Sequence, residues 1–78
     1  MEVRIKLIWD FRGPDAEKTA QHHVHHLNEF AAMELLENPV SGVESISEMH
    51  YVAFLVVERS KMISVRDALK PHRAVIAK

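Results

Sequence analysis

Four histidines fall within five residues: His22, His23, His25 and His26. On a helix, His22 and His26 stand on successive turns of one face, a spacing that lets two imidazoles grip one metal ion. His25 and Glu29 are also four apart. Imidazole nitrogens suit zinc, nickel or copper, so the metal-ligating set read from the sequence is His22, His25, His26 and Glu29. A structural zinc takes four ligands and one helix face offers two or three, so a loop or a second chain would complete the shell. Clustered imidazoles also titrate near neutrality and repel one another's protons, which suits pH sensing. The plainer alternative is a solvated helix face, on which no cofactor is expected.

Elsewhere reactive side chains are sparse. Asp10, His50 and His72 stand near the ends of candidate strands, where they could meet. The chain has no cysteine, hence no disulfide, thiolate ligand or cysteine nucleophile. Two glycines cannot build a phosphate-cradling loop, and no serine sits in a nucleophile elbow. No run approaches the roughly 18 apolar residues of a membrane span. The opening MEVRIKLIWD alternates charge with apolar residues, unlike a secretory signal, so the cytoplasm is the expected setting.

These residues are carried by 78 positions, 47% hydrophobic and 27% charged, enough for one domain spanning residues 1–78. Val3, Ile5, Leu7, Trp9 and Phe11 alternate with Glu2, Arg4, Lys6, Ile8 and Asp10, which predicts a half-buried strand. Arg12-Gly13-Pro14-Asp15 breaks it. From Pro14 to Glu37 the period is helical, with Ala16, Ala20, Val24, Leu27, Ala31 and Leu35 forming one stripe. Asn38-Pro39 ends the helix, and Ser41-Gly42 reads as a turn. Two strands follow, Val43 to Met49 and His50 to Glu58, joined by a hairpin near Glu48–His50. Ser64 to Asp67 reads as a capping-box variant opening a short helix that Pro71 stops, and Ala74 to Ala77 offers a last strand. The order β-α-β-β-α-β resembles the ferredoxin-like α+β sandwich, which implies an antiparallel sheet with one long and one short helix on one face.

In that arrangement the first and third strands lie side by side. Tyr51, Ala53, Leu55 and Val57 then face the helices with the odd residues of the first strand. Val52, Phe54, Val56 and Ile8 face away, bordered by Arg4, Lys6 and His50. Monomers seldom leave such an apolar strip in water, so a homodimer interface on Val52, Phe54, Val56 and Ile8 is expected. A second use is a ligand floor, with Arg4, Lys6 and His50 holding a small anionic group. A third is an RNA platform, but HYVAFLVV departs from the RNA-recognition pattern at most stacking positions, so nucleic acid is not expected.

The formal net charge of −1 conceals segregation. Residues 1–18 balance, residues 19–58 hold six glutamates and no Lys or Arg, and residues 59–78 hold six cations against Asp67. Such halves complement each other within a chain or between two copies better than they fit a polyanion. The sequence therefore predicts a small non-enzymatic binding or regulatory module that self-associates through its sheet face, with no membrane partner. The alternatives are a metal-binding protein using the histidines, or a small enzyme of the dimeric α/β-barrel type with its cavity near His50, Phe54 and Trp9.

Overall fold

The computed structural model describes residues 3–36 and 38–77. Its elements run β1 (Arg4–Arg12), α1 (Ala16–Met33), β2 (Val40–Ser47), β3 (His50–Glu58), α2 (Arg59–Leu69) and β4 (Arg73–Ala77). The strands form one antiparallel sheet in the order β2-β3-β1-β4. The protein is thus α+β, a four-stranded antiparallel sheet with two helices.

Alternation along β1 and β3 sorts their side chains onto two faces. Ile5 pairs with Val57, Leu7 with Leu55 and Trp9 with Ala53. These six form one buried cluster with Ala20 and Leu27 of α1 and Val65 of α2. Both helices therefore lie on this face, as expected. The small Ala53, Ala20 and Ala31 are buried beneath or within the long helix, where larger side chains would hold it off the sheet. Phe30 and Leu36 pack against the same cluster, whereas Met33 is exposed. The Trp9 indole donates to the Leu69 carbonyl at 3.0 Å, which ties β1 to the end of α2.

Several boundaries differ from the sequence reading, three of them for a clear physical reason. The helix α1 stops at Met33, and the expected last residue, Glu37, lies outside the described residues. Leu35 closes the helix with a left-handed φ of 52°, and its neighbour Leu36 bonds back to the Ala31 carbonyl at 3.1 Å. The strand β2 begins at Val40, so Ser41-Gly42 is strand and not turn. Gly42 is there for room: a Cβ at this position would come within 2.9 Å of Phe54 Cζ. The helix α2 begins at Arg59, five residues before Ser64. Met62, Val65 and Leu69 supply its inward stripe, and that periodicity outweighs the capping signal at Ser64. Gly13 is needed for a different reason, its φ of +112°, and its N–H donates to the Met49 carbonyl across the end of the sheet.

Candidate functional site

The face of the sheet away from the helices is built by the even residues of β1 and β3 and by their partners on the outer strands. Val40, Val56, Lys6 and Val75 share one row of the register. Gly42, Phe54, Ile8 and Arg73 form the next, and Glu44, Val52 and Asp10 the one after. Since Gly42 has no side chain, the Phe54 ring lies down across β2 instead of standing off the sheet. The Lys6 ammonium sits 4.4 Å from the centroid of that ring and pairs with Glu44 on β2. Arg4 reaches over the row end to the carbonyls of Asn38 and Val56. These long side chains cover the apolar strip within one chain. Ile8, Val52 and Val56 are 6%, 2% and 8% exposed, and Phe54 is half-buried. The exposed apolar side chains of this face stand at its two edges, Val40 on β2 and Val75 on β4.

At the end of the face nearest the β2–β3 turn, three strand ends converge on Asp10. His50 Nε2 donates to its Oδ1 at 2.8 Å. Arg73 donates from Nη2 to Oδ1 at 3.1 Å and from Nε to Oδ2 at 3.2 Å. The Asp10 backbone N–H donates to His72 Nδ1 at 2.8 Å, so that nitrogen is an acceptor and the ring carries its proton on Nε2. The Arg73 hydrogen bond is the main reason the Asp10 carboxyl titrates below its ordinary range. Burial opposes the shift, and the His50 hydrogen bond adds to it. Asp10, His50 and His72 thus meet, and the sequence placed them at neighbouring strand ends. Arg73 is the member it missed, and only the β1–β4 register, which sets Arg73 opposite Ile8, could have supplied it.

An Asp–His pair can act as an acid–base dyad. Here the His50 imidazole makes no other hydrogen bond among the described residues. A cavity of about 180 Å³ lies between Leu35, Leu36, Val57, Glu58 and Lys61, and a shallower one of about 220 Å³ between Val3, Glu58, Arg59 and Ser60. Neither is lined by His50, Arg4 or Lys6. The cations expected to hold an anionic ligand are engaged by the chain's own groups: Lys6 by Glu44, Arg4 by carbonyls.

The histidines of α1 divide. His22, His25 and His26 are exposed, with His22 Nε2 and His26 Nε2 3.0 Å apart. Glu29 lies 3.3 Å from His26 Nδ1 and 3.9 Å from His25 Nε2. His23 instead turns inward against Trp9 and Phe11, with ring centroids 4.9 and 5.5 Å away. Its Nε2 is buried with no hydrogen-bond partner among the described residues. Burial holds this imidazole below its ordinary pKa, and the neighbouring His26, His72 and His22 push it the same way. The sequence reading left His23 within the cluster; the signal that could have placed it inward is its spacing, three after Ala20 and four before Leu27 of the buried stripe. Among the described residues no group of three or more His, Asp or Glu is arranged to hold a metal ion, and no helix is long and apolar enough to cross a membrane. No family model, curated protein or solved structure matches the chain.

Proposed function

We propose that the chain is a ferredoxin-like, non-enzymatic binding module that self-associates through the open face of its sheet. The β2-β3-β1-β4 order, with both helices on one side, supports the architectural part of this reading. The observation that carries the functional part is the placement of exposed apolar and charged groups on the register. A second copy turned by half a circle about an axis along the strands sets β2 of one chain over β4 of the other. Val40 then meets Val75 of the other copy, because both lie in one row. Phe54 meets Ile8 in the next row, twice over. Glu44 on one edge lies within a row of Arg73 on the opposite edge. The segregated charge of the sequence becomes self-complementary in this pairing.

Geometry also sets the strength. Four strands about 4.8 Å apart and roughly 25 Å long give about 500 Å² per copy, or about 1,000 Å² in all. That is below the usual range for stable complexes and fits weak, transient association. Much of the central strip is already covered within one chain, so Phe54, Val40 and Val75 supply most of the new apolar burial.

Sedimentation over a concentration series tests this. The wild type is expected to pass from monomer to dimer, and Phe54→Glu to remain monomeric. Val75→Glu gives the same loss at an exposed position where folding is not at stake. A wild type that stays monomeric at several hundred micromolar, or a Val75→Glu variant that dimerises as the wild type does, removes the reading.

A further inference from the structure

On the solvated side of α1, His22 and His26 turn their Nε2 atoms toward one another, 3.0 Å apart, with the rings nearly perpendicular at 80°. The opposite nitrogen of His26, Nδ1, faces the Glu29 carboxylate at 3.3 Å. We propose that His22 and His26 form a two-imidazole site for copper(II), one ion per chain, with Glu29 as its outer-sphere carboxylate and the remaining positions open to water.

Three observations lead there. The first is convergence. Two nitrogens bound at about 2.0–2.1 Å stand about 2.9 Å apart in adjacent square-planar positions and about 3.3 Å apart in tetrahedral ones. The observed 3.0 Å is that of an N–H···N bond between the two rings, and it holds both nitrogens close enough to take adjacent positions on one ion. The second is the carboxylate behind His26. A ligating imidazole usually gives its other N–H to a carboxylate or carbonyl, which fixes the ring and raises its basicity, and Glu29 is placed to accept it. The third is the count. With two ligands and no third His, Asp or Glu in place among the described residues, the site cannot be a closed four-ligand zinc centre. Two nitrogens hold copper(II) more tightly than zinc or nickel, because affinity for a given donor set peaks at copper.

The balance is simple. In the metal-free chain one nitrogen of the pair donates its proton to the other. Copper takes both lone pairs, and that proton moves to the far nitrogen of the same ring, so the ligands stay neutral. Neighbouring His23 turns inward against Trp9 and Phe11 with its Nε2 buried, away from the exposed pair. The site lies on a helix and not on the open sheet face, so it stands independently of self-association.

Copper(II) chloride titrated calorimetrically at pH 7.5, in a weakly competing buffer, tests the assignment. The wild type is expected to bind one ion with micromolar affinity, and zinc chloride to bind at least tenfold more weakly. His22→Ala and His26→Ala each lose tenfold or more. Glu29→Ala loses roughly tenfold, the usual effect of an outer-sphere carboxylate. His25→Ala stays within threefold. Electron paramagnetic resonance of the copper-loaded wild type and of His25→Ala shows two imidazole nitrogens, whereas His22→Ala and His26→Ala each show one. All four positions are exposed on a helix that alanine favours, so circular dichroism is expected to be unchanged. Millimolar affinity in the wild type, equal affinity in His22→Ala, or a single imidazole in the wild-type spectrum overturns the proposal.

Discussion

Replacing Asp10 by asparagine removes one charge from beneath two basic side chains and leaves the shape almost unchanged. The carboxylate takes two hydrogen bonds from Arg73 and one from His50. Arg73 is half exposed, so its contribution is screened to about 1 kcal/mol or less. His50 is only 13% exposed, and its charge-assisted bond weakens to a neutral one, costing about 1 kcal/mol more. Asp10 is covered by these partners and not by protein bulk, so larger figures are not warranted. The expected loss is about 2 kcal/mol, or roughly 8–15 °C in Tm for a chain of this size. Urea unfolding at several pH values checks both size and origin. The folded Asp10 titrates below the ordinary 3.8, because Arg73 stabilises the carboxylate. Its contribution is therefore complete well above the unfolded value and fades as pH falls through the folded one. Wild type and Asp10→Asn should differ most at neutral pH, and the difference should shrink progressively as pH falls below the ordinary 3.8 toward the lowered folded value. A difference under about 0.5 kcal/mol at pH 7, or one that does not shrink at all along an acid series carried below the ordinary 3.8, refutes the electrostatic account of this cluster.

Two further substitutions probe backbone and packing. Leu35→Gly should raise stability by about 0.5–1 kcal/mol in chemical denaturation, because Leu35 holds a left-handed φ of 52° while its side chain is 86% exposed. A loss of stability would show that the Leu35 side chain, which lines a cavity with Leu36 and Val57, contributes more than the strain costs. Gly42→Ala should destabilise the wild type by about 1 kcal/mol, because the new Cβ lifts the Phe54 ring, yet stabilise a Phe54→Val background, where only the strand cost of glycine remains. The same sign in both backgrounds would exclude the ring as the cause.

Periodicity made the layers legible. Alternation in β1 and the four-residue stripe of α1 assigned inward and outward residues before any pairing was known. Composition misled where residues are used for space: Ser41-Gly42 has the make-up of a turn, but the glycine makes room for a ring on the neighbouring strand. Ser64 looks like a cap, but local hydrogen-bonding preference lost to the stripe of Met62, Val65 and Leu69. The candidate face was legible in membership and not in exposure. Val52 and Val56 face outward as the alternation demands, yet Lys6, Arg4 and Phe54 fold over them, and side-chain reach of that kind leaves no periodic mark. Asp10 shows the same limit, because its partner Arg73 lies on a strand whose register the sequence does not announce.

The central position of β1 sets the order of folding. The earliest strand in the chain pairs with residues 50–58 on one side and 73–77 on the other, and with nothing nearer in sequence. Loop closure over such spans is entropically costly before any contact rewards it, so the transition state must gather both ends of the chain. The β2–β3 hairpin and α1 can form locally, while β1 waits with two open edges. Folding should therefore be slow for so small a domain. A chain cut after Leu69 would keep Asp10 but lose His72, Arg73 and the whole of β4, leaving β1 permanently unpaired on one side. Such a fragment should be prone to edge pairing and aggregation, because β4 is the element that covers the second edge of β1.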